Sequence, residues 1–262
     1  MPTRDQRLKR NRISRCRVLP LLVLSLGLTF AGNASEDSPA EQARARFEEA
    51  QKAYSLHPKD AEAAWKFGRA CFDLGEFSTT REQRAEVAQK GIDACRQAVT
   101  QEPNSAPLHY YLGLNLGQLA RTRSLGALKL VEQMEPQFTQ AAALDPHFDY
   151  AGADRSLGLL YRDAPTLISI GNRGKAREHL RRAVELAPDY PENRLNLIES
   201  YLKWGDRTGA RQELAALEKS WPKAHEKFKG PAWKASWADW DAQLQTLKSK
   251  SEESSKLESP RH

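Results

Sequence analysis

The sequence predicts an all-α protein: a right-handed solenoid of consecutive helical hairpins with a capping helix at its C-terminal end. Two periodic marks carry this prediction. A proline follows an alanine by five residues at four places: Ala53 and Pro58, Ala98 and Pro103, Ala141 and Pro146, Ala183 and Pro188. A glycine follows the first two prolines by ten residues, and the glycine that matches the third comes two residues later: Gly68, Gly113 and Gly158. Such marks, repeated every 34 to 45 residues, are typical of stacked helical hairpins.

The elements are predicted in order along the chain. Residues 35–57 are expected to form an N-terminal helix or half repeat, and residues 58–222 the solenoid. Within the solenoid we expect four hairpins, at 61–101, 106–144, 150–186 and 191–220. Helices of about 12 to 20 residues are marginal alone in water, so stacking must stabilise them. A proline ends each second helix because it interrupts the backbone hydrogen-bond ladder.

The segment after the hairpins carries three tryptophans. Trp233, Trp237 and Trp240 recur with the spacing i, i+4, i+7, which places them on one face of a helix. We expect a helix within 223–248 to cover the exposed end of the solenoid with this stripe. An aromatic patch for a partner or a sugar is the alternative. Residues 249–262 are rich in Ser, Glu and Lys and are predicted to be disordered.

The last full period supports a family resemblance. From Pro188 to Pro222 it spans 34 residues and contains a run of apolar, aromatic and small residues: Leu197, Tyr201, Gly205, Ala210 and Leu214. This pattern resembles the tetratricopeptide repeat, with Arg194 at the usual tryptophan position and Ile198 at a usually small one. The resemblance implies a solenoid that binds a protein or peptide on its concave face.

A narrower resemblance lies in the third hairpin. Residues 155–165 and 171–176 are similar to the core of the T-component proteins of tripartite (TRAP-type) transporters, and the similarity extends over about 108–214. That family has a helical-repeat fold and is thought to partner a substrate-binding subunit in the periplasm. It is typically lipid-anchored, and this chain lacks the anchoring cysteine. The same pattern also resembles helical-repeat proteins that regulate microtubules in eukaryotes, although the N-terminal segment favours the bacterial family.

The N-terminal segment has the order of an export signal. Residues 1–17 hold seven basic residues and one acidic residue, an apolar run follows at 18–30, and residues 31–34 are small. A basic stretch, then an apolar stretch, then small residues are typical of a secretory signal peptide. We therefore predict a signal peptide at 1–34 and a location in a bacterial periplasm. An uncleaved N-terminal anchor is the alternative, and the only membrane attachment predicted.

The same segment accounts for the net charge. The whole chain carries +6, which is the excess of basic residues within 1–17 alone. The remainder is neutral, so the sequence pI of about 9.2 does not indicate nucleic-acid binding, and we predict none.

Beyond residue 34 the chain offers little reactive chemistry. Cys71 and Cys95 both fall on inward positions, and an oxidising compartment would permit a disulfide between them. Two small buried apolar residues are the alternative. The histidines are scattered and no Cys-x-x-Cys occurs, so no metal and no cofactor are predicted. Ser156 does not lie in a nucleophile elbow, and 171–175 lacks the context of a phosphate loop, so we predict that the protein is not an enzyme.

The concave face is predicted from the offset to the repeat glycines. Eight side chains are expected there: Trp65, Arg69, Tyr110, Leu114, Arg155, Arg162, Leu195 and Glu199. Aromatic and arginine side chains suit the hot spots of a protein interface. The three arginines favour an acidic or carboxylate-bearing ligand. The alternative is that they pair with neighbouring acids such as Asp163.

One loop is unusually apolar. The stretch 164–174 contains Leu167, Ile168 and Ile170 where a turn is usually polar. We expect it either to fold back on the body of the protein or to contact a partner.

These observations predict an exported scaffold that binds a protein or peptide. Two alternatives remain open: a periplasmic accessory subunit of a solute-uptake transporter, which binds a substrate-binding protein or a small ligand, and a structural protein of the cell envelope. The sequence specifies neither the partner nor the oligomeric state.

Overall fold

A computed structural model describes residues 38–256, with side chains as far as residue 252. The predicted signal peptide at 1–34 and the last residues of the predicted tail, 257–262, lie outside the described part. Within it the regular structure consists of ten α-helices and one short 3-10 helix, with no strand. The predicted all-α fold is therefore confirmed. The described residues, 38–256, belong to one compact unit.

The helices pack as consecutive hairpins. Their bounds are α1 (Pro39–Leu56), α2 (Ala61–Glu76), α3 (Arg81–Val99), α4 (Ala106–Ala120), α5 (Ala127–Leu144), α6 (Gly152–Asp163), α7 (Arg173–Leu186), α8 (Pro191–Lys203), α9 (Arg207–Lys227) and α10 (Lys234–Lys256). The hairpins are α2–α3, α4–α5, α6–α7 and α8–α9, and α1 packs on α2. Successive hairpins join through α3 with α4, α5 with α6, and α7 with α8, which gives the predicted solenoid.

Side-chain caps fix the starts of several helices. At the start of α1 the Ser38 hydroxyl accepts from the backbone N–H of Glu41, and the Glu41 carboxylate accepts from the N–H of Ser38 at 2.7 Å. Thr80, Asn172 and Asp206 accept in the same way from the third helical residue of α3, α7 and α9. Each cap satisfies an N–H group that the helix itself leaves without a partner, and contributes about 1 kcal/mol.

The repeat glycines lie where the two helices of a hairpin approach closely, as Gly113 and Gly158 illustrate. A Cβ atom at Gly113 would stand 2.6 Å from the ring of Phe138 on α5. A Cβ atom at Gly158 would stand 2.5 Å from Cγ of Leu180 on α7. Both distances are far inside van der Waals contact, so glycine is what allows each hairpin to close.

The turn between α5 and α6 has a left-handed backbone. Asp149, Tyr150 and Ala151 have φ angles of 50°, 56° and 62°. This region costs a non-glycine residue about 1–2 kcal/mol, so three in succession need support from the surrounding structure. Arg155 supplies part of it, because its guanidinium donates to the carbonyl oxygens of Asp149 and Tyr150 at 3.4 and 3.3 Å.

The C-terminal end differs from prediction in two respects. Helix α9 continues through Pro222 to Lys227, although that proline was expected to end it. Helix α10 continues to Lys256, so eight residues of the segment predicted as a disordered tail are helical. In the described part of the chain no further hairpin follows Pro222 or residues 249–256, so the repeat pattern does not predict where α9 and α10 end.

The predicted capping helix is α10. It packs against α8 and α9, and Trp240 is only 2% exposed. The Trp240 ring lies 5.4 Å from Tyr190 and 6.2 Å from Phe228, measured between centroids. The tryptophan stripe therefore covers the last hairpin. Within residues 38–256 no helix combines the length and the hydropathy that a bilayer-spanning segment needs.

Candidate binding surface

Three aromatic side chains form a platform between α2, α4 and the turn that precedes α6. The rings of Trp65 and Tyr111 stack with centroids 5.9 Å apart and an interplanar angle of 9°. Phe148 meets both edge-on, at 6.3 and 6.1 Å. Tyr111 is buried, whereas Trp65 and Phe148 are half-buried and present ring surface to solvent. Rigid, partly exposed rings of this kind are frequent anchors in protein interfaces.

A charged pair borders this aromatic platform on α2. Arg69 follows Trp65 by one helical turn, is exposed, and has its Nε 3.7 Å from Oδ2 of Asp73. Burial raises the pKa of Asp73, and Arg69 opposes that shift only in part. For Arg69 itself, burial acts to lower the pKa, but Tyr111 and Asp73 outweigh it and the pKa lies above the ordinary value. The platform thus has an accessible guanidinium at its edge.

Arg155 lies beneath the surface and is 6% exposed. Its guanidinium stands 3.1 Å from Oδ2 of Asp149 and 3.6 Å from Oε1 of Glu192, and it donates to Oδ1 of Asn193 at 2.9 Å. The hydroxyl of Tyr110 donates to the same Asp149 carboxylate at 2.6 Å. Burial acts to lower the pKa of Arg155, but Glu192, Tyr110 and Asp149 outweigh it and raise the pKa. Arg155 is therefore a buried, paired cation.

Arg162 is paired as well. Its Nη2 lies 2.8 Å from Asp163, its Nη1 lies 2.9 Å from Glu199, and Nζ of Lys203 lies 2.5 Å from Asp163. Burial acts to lower the pKa of Arg162, but both carboxylates outweigh it and raise the pKa. Two alternatives were predicted for the arginines. For Arg155 and Arg162 the structure shows the second, pairing with neighbouring acids.

The eight predicted side chains occupy different environments. Arg69 and Glu199 are exposed, and Trp65, Leu114 and Arg162 are half-buried. The remaining three are buried, at 3%, 6% and 1% exposure: Tyr110, Arg155 and Leu195. The prediction that these three point into an open groove is corrected. The turn between α5 and α6 covers Tyr110 and Arg155, and Leu195 belongs to the hydrophobic core.

Sequence reasoning missed several members of this surface. Phe148 and Asp149 lie in the turn between α5 and α6, which the repeat pattern treats only as a linker. An aromatic residue in a polar turn was the available signal for Phe148. Of the acids, Glu199 and Asp163 were predicted, whereas Asp73, Asp149 and Glu192 were missed. Counting Lys203, four cations face five carboxylates, namely Arg69, Arg155, Arg162 and Lys203 against Asp73, Asp149, Asp163, Glu192 and Glu199. The surface is not cationic, which removes the stated reason for an acidic ligand.

The apolar loop between α6 and α7 folds back only at its base. Ile170 packs against the core, and the backbone N–H of Asn172 donates to the carbonyl oxygen of Tyr161 at 2.9 Å. At the tip, Leu167 is 96% exposed and Ile168 is 69% exposed. The two predicted outcomes therefore apply to different parts of the loop, and the tip is free to meet a partner.

Cys71 and Cys95 are both buried and are not bonded in this structure. Burial raises the pKa of Cys95 to about 12. Burial, and then the neighbouring Cys95, raises the pKa of Cys71 above its ordinary range. The predicted disulfide stays a prediction for the protein in an oxidising compartment.

The described side chains hold no group of three His, Cys, Asp or Glu residues placed to bind one metal ion. The chemistry that this surface does offer is non-covalent: ring faces, one accessible guanidinium and carboxylates. Such groups bind a partner by contact and charge.

Comparisons with known proteins agree with this architecture. The model of a tetratricopeptide repeat family matches residues 167–226, and the model described as Regulator of microtubule dynamics protein 1-3 matches residues 31–151. No curated protein matches the chain.

Solved structures show the same fold. The thermophilic tetratricopeptide repeat protein TTC0263 of Thermus thermophilus is similar with a TM-score of 0.59 and 20% identity, over 79% of this chain and 91% of its own. A structure of MamA is similar with a TM-score of 0.51 and 17% identity, over 73% of this chain and 99% of its own. At these identities the likeness establishes the fold.

Proposed function

Because the chain is a tetratricopeptide repeat protein, we propose that it is an exported scaffold that binds a protein or peptide partner at the aromatic platform of Trp65, Tyr111 and Phe148. The fold is that of protein-interaction scaffolds. The observation that carries the proposal is the half-buried Trp65 ring with the exposed Arg69 beside it, because tryptophan and arginine dominate binding energy at interfaces. We propose binding and no catalysis.

The surroundings of the platform favour a particular kind of segment. Asp73 and Asp149 lie near the platform. Of the three predicted arginines, only Arg69 is exposed. A basic side chain on the partner would meet these two carboxylates, and an adjacent aromatic or apolar side chain would cover the rings. We propose a partner segment of that composition in place of an acidic one.

The direct test is capture of partners from an envelope extract with residues 37–262, which include the compact unit of described residues. We expect the double variant Trp65→Ala/Arg69→Glu to lose a partner that the unchanged protein retains, with affinity lowered about a hundredfold or more, as for interface hot spots. The matched control is Arg96→Glu, a reversal of an exposed arginine on α3. Far-ultraviolet circular dichroism verifies that each variant is folded. A partner retained equally by both variants would place the site elsewhere.

Export is tested separately. We expect cell fractionation to place the protein outside the cytoplasm, and N-terminal sequencing of the isolated protein to begin near residue 35. A protein that begins at residue 1 in the cytoplasmic fraction would remove export from the proposal and leave the binding surface untouched.

The family match over residues 31–151 favours a second candidate partner. Proteins of the matched description regulate microtubule dynamics, and the matched region spans α1 to α5 with the whole platform. Co-sedimentation with assembled microtubules tests this candidate. Sedimentation of the unchanged protein that Trp65→Ala/Arg69→Glu abolishes would favour it, together with a cytoplasmic location, and no sedimentation would remove it.

A further inference from the structure

Exposed apolar side chains concentrate in one set of turns. Four of the five large apolar residues exposed in the described part lie in turns that join the two helices of one hairpin: Phe77 at 44%, Leu125 at 91%, Leu167 at 96% and Ile168 at 69%. The fifth, Leu56 at 66%, ends α1 and lies at the opposite end of the hairpins. We call the four turns α2–α3, α4–α5, α6–α7 and α8–α9 the hairpin-turn edge.

These turns lie along the same side of the stack. In an up-and-down arrangement of hairpins the turns within successive hairpins project in the same direction. Contacts agree for two pairs of neighbouring turns: Arg121 of the second reaches Glu76 of the first at 2.8 Å, and Lys203 of the fourth reaches Asp163 of the third at 2.5 Å. The apolar tips therefore share an edge.

The charges of the two edges are opposite. Each turn is counted with the last residue of the helix before it and the first four residues of the helix after it. The hairpin-turn edge (76–84, 120–130, 163–176 and 203–210) holds nine basic and four acidic residues, a net charge of +5. The opposite edge (56–64, 99–109, 144–155 and 186–194) holds three basic and eight acidic residues, a net charge of −5.

Helix ends do not account for this difference. Every turn on either edge joins the C-terminus of one helix to the N-terminus of the next, so the helix dipoles contribute alike to both edges. The difference in net charge between the two edges therefore comes from their side chains.

The basic side chains nearest Leu125 are available for binding. Arg123 and Lys129 flank Leu125, both are exposed, and among the described residues no carboxylate lies within ion-pair distance of either. Arg173 and Lys175 follow the Leu167–Ile168 tip and are exposed as well, with Arg173 over the Trp204 ring and Nζ of Lys175 3.7 Å from Oε1 of Glu135. Large apolar tips ringed by cations are the composition of surfaces that bind the interface of an anionic bilayer.

We propose that the hairpin-turn edge docks on an anionic lipid membrane, with Leu125, Leu167 and Ile168 entering the headgroup region and the surrounding cations contacting lipid phosphates. The acidic opposite edge then faces away from the bilayer. A nucleic acid would use the charges but gains nothing from the apolar tips, because its recognition is dominated by phosphate contacts. This docking is independent of the aromatic platform and of the N-terminal segment.

The test uses residues 37–262 and flotation with vesicles of phosphatidylcholine alone or with added phosphatidylglycerol. We expect binding to the anionic vesicles only. The tip variant Leu125→Ser/Leu167→Ser/Ile168→Ser and the charge variant Arg123→Glu/Lys129→Glu should each weaken it about tenfold or more. The matched control, Leu56→Ser/Lys59→Glu, makes the same kinds of change on the opposite edge and should bind as the unchanged protein does. The changed side chains are exposed, so circular dichroism spectra should stay native.

Three results would overturn the proposal: no binding to anionic vesicles, equal loss in the control variant, or binding that the tip variant leaves unchanged. In the last case, duplex DNA bound with similar affinity would identify the edge as a purely electrostatic surface for polyanions. If the tip variant fails to fold, the charge variant and the single change Leu125→Ser carry the same comparison.

Discussion

The guanidinium of Arg155 lies 3.1 Å from the carboxylate of Asp149, the first of three successive residues with a left-handed backbone. The same guanidinium donates to the carbonyl oxygens of Asp149 and Tyr150 and pairs with Glu192 of α8. One buried side chain thus neutralises two acids and supports the backbone between the second and third hairpins. Its role is to hold the solenoid together at the point where the repeat geometry changes.

Replacing Arg155 should therefore be costly. We expect Arg155→Ala to lower the free energy of unfolding by about 3–5 kcal/mol, because it leaves partly buried acids without their counter-charge. Urea denaturation followed by circular dichroism measures the change. The control Arg96→Ala removes an exposed arginine and should cost under about 0.5 kcal/mol. A loss below about 1 kcal/mol for Arg155→Ala would contradict the supporting role.

Two glycines four residues apart on α4 should respond differently to alanine. Gly113→Ala would place a Cβ atom 2.6 Å from the Phe138 ring and should lower stability by about 1–3 kcal/mol. Gly117→Ala would meet only the flexible end of Met134, at 3.0 Å, so the higher helix propensity of alanine should leave stability equal or increased. Thermal denaturation of both variants checks this. If both lose stability equally, the close approach of α4 and α5 is not the cause.

The two buried cysteines should be present as unreactive thiols. A thiol count on residues 37–262, denatured without reductant, gives two if Cys71 and Cys95 are unbonded, as they are in this structure. In the folded protein at neutral pH both should react slowly, because burial keeps them protonated, with the pKa of Cys95 at about 12. A count of zero would establish the predicted disulfide instead. Fast reaction in the folded state would show that the first hairpin opens readily.

Asp163 should make stability depend on acidity. Burial alone would raise its pKa, but hydrogen bonds from Arg162 and Lys203 outweigh burial and lower the pKa. Its contribution is therefore present above the ordinary aspartate pKa of about 4 and is lost as the pH falls through the lowered value. We expect Asp163→Asn to cost about 0.2–1 kcal/mol near neutral pH, since the carboxylate is half exposed, and less at low pH.

Urea denaturation of the unchanged protein and of Asp163→Asn, at neutral pH and again below the lowered pKa, measures that difference. Glu178→Gln changes an acid on α7 and serves as the control. A cost of Asp163→Asn that stays constant over the whole range would show that its ion pairs do not provide the stabilisation.

Much of the fold follows from a few positions in the sequence. Gly68, Gly113 and Gly158 mark close contacts between helices in the first three hairpins, so their spacing reveals the repeat. The tryptophan spacing likewise identified the face of α10 that covers the last hairpin. Both signals are local, because each depends on a single helix face.

The candidate surface was only partly predictable, for a physical reason. Trp65, Tyr110 and Arg155 each stand three residues before a repeat glycine, yet their exposure differs because different residues cover each of them. The left-handed turn at 149–151 lies between Pro146 and Gly158, where the spacing is two residues longer than in the first two repeats, and Phe148 just before it packs on Trp65. How a turn redirects the chain depends on contacts from distant helices, which a helix pattern does not contain.

The cover that Trp240 places on α8 and α9 has a consequence for assembly. A stack of hairpins has no natural end, because each hairpin covers one face of its neighbour and exposes an apolar face of its own. With that face sealed, a second molecule cannot add there head to tail, and growth into a filament is blocked on that side. The helix that stabilises the last hairpin therefore also disfavours end-to-end stacking of a second copy on that hairpin.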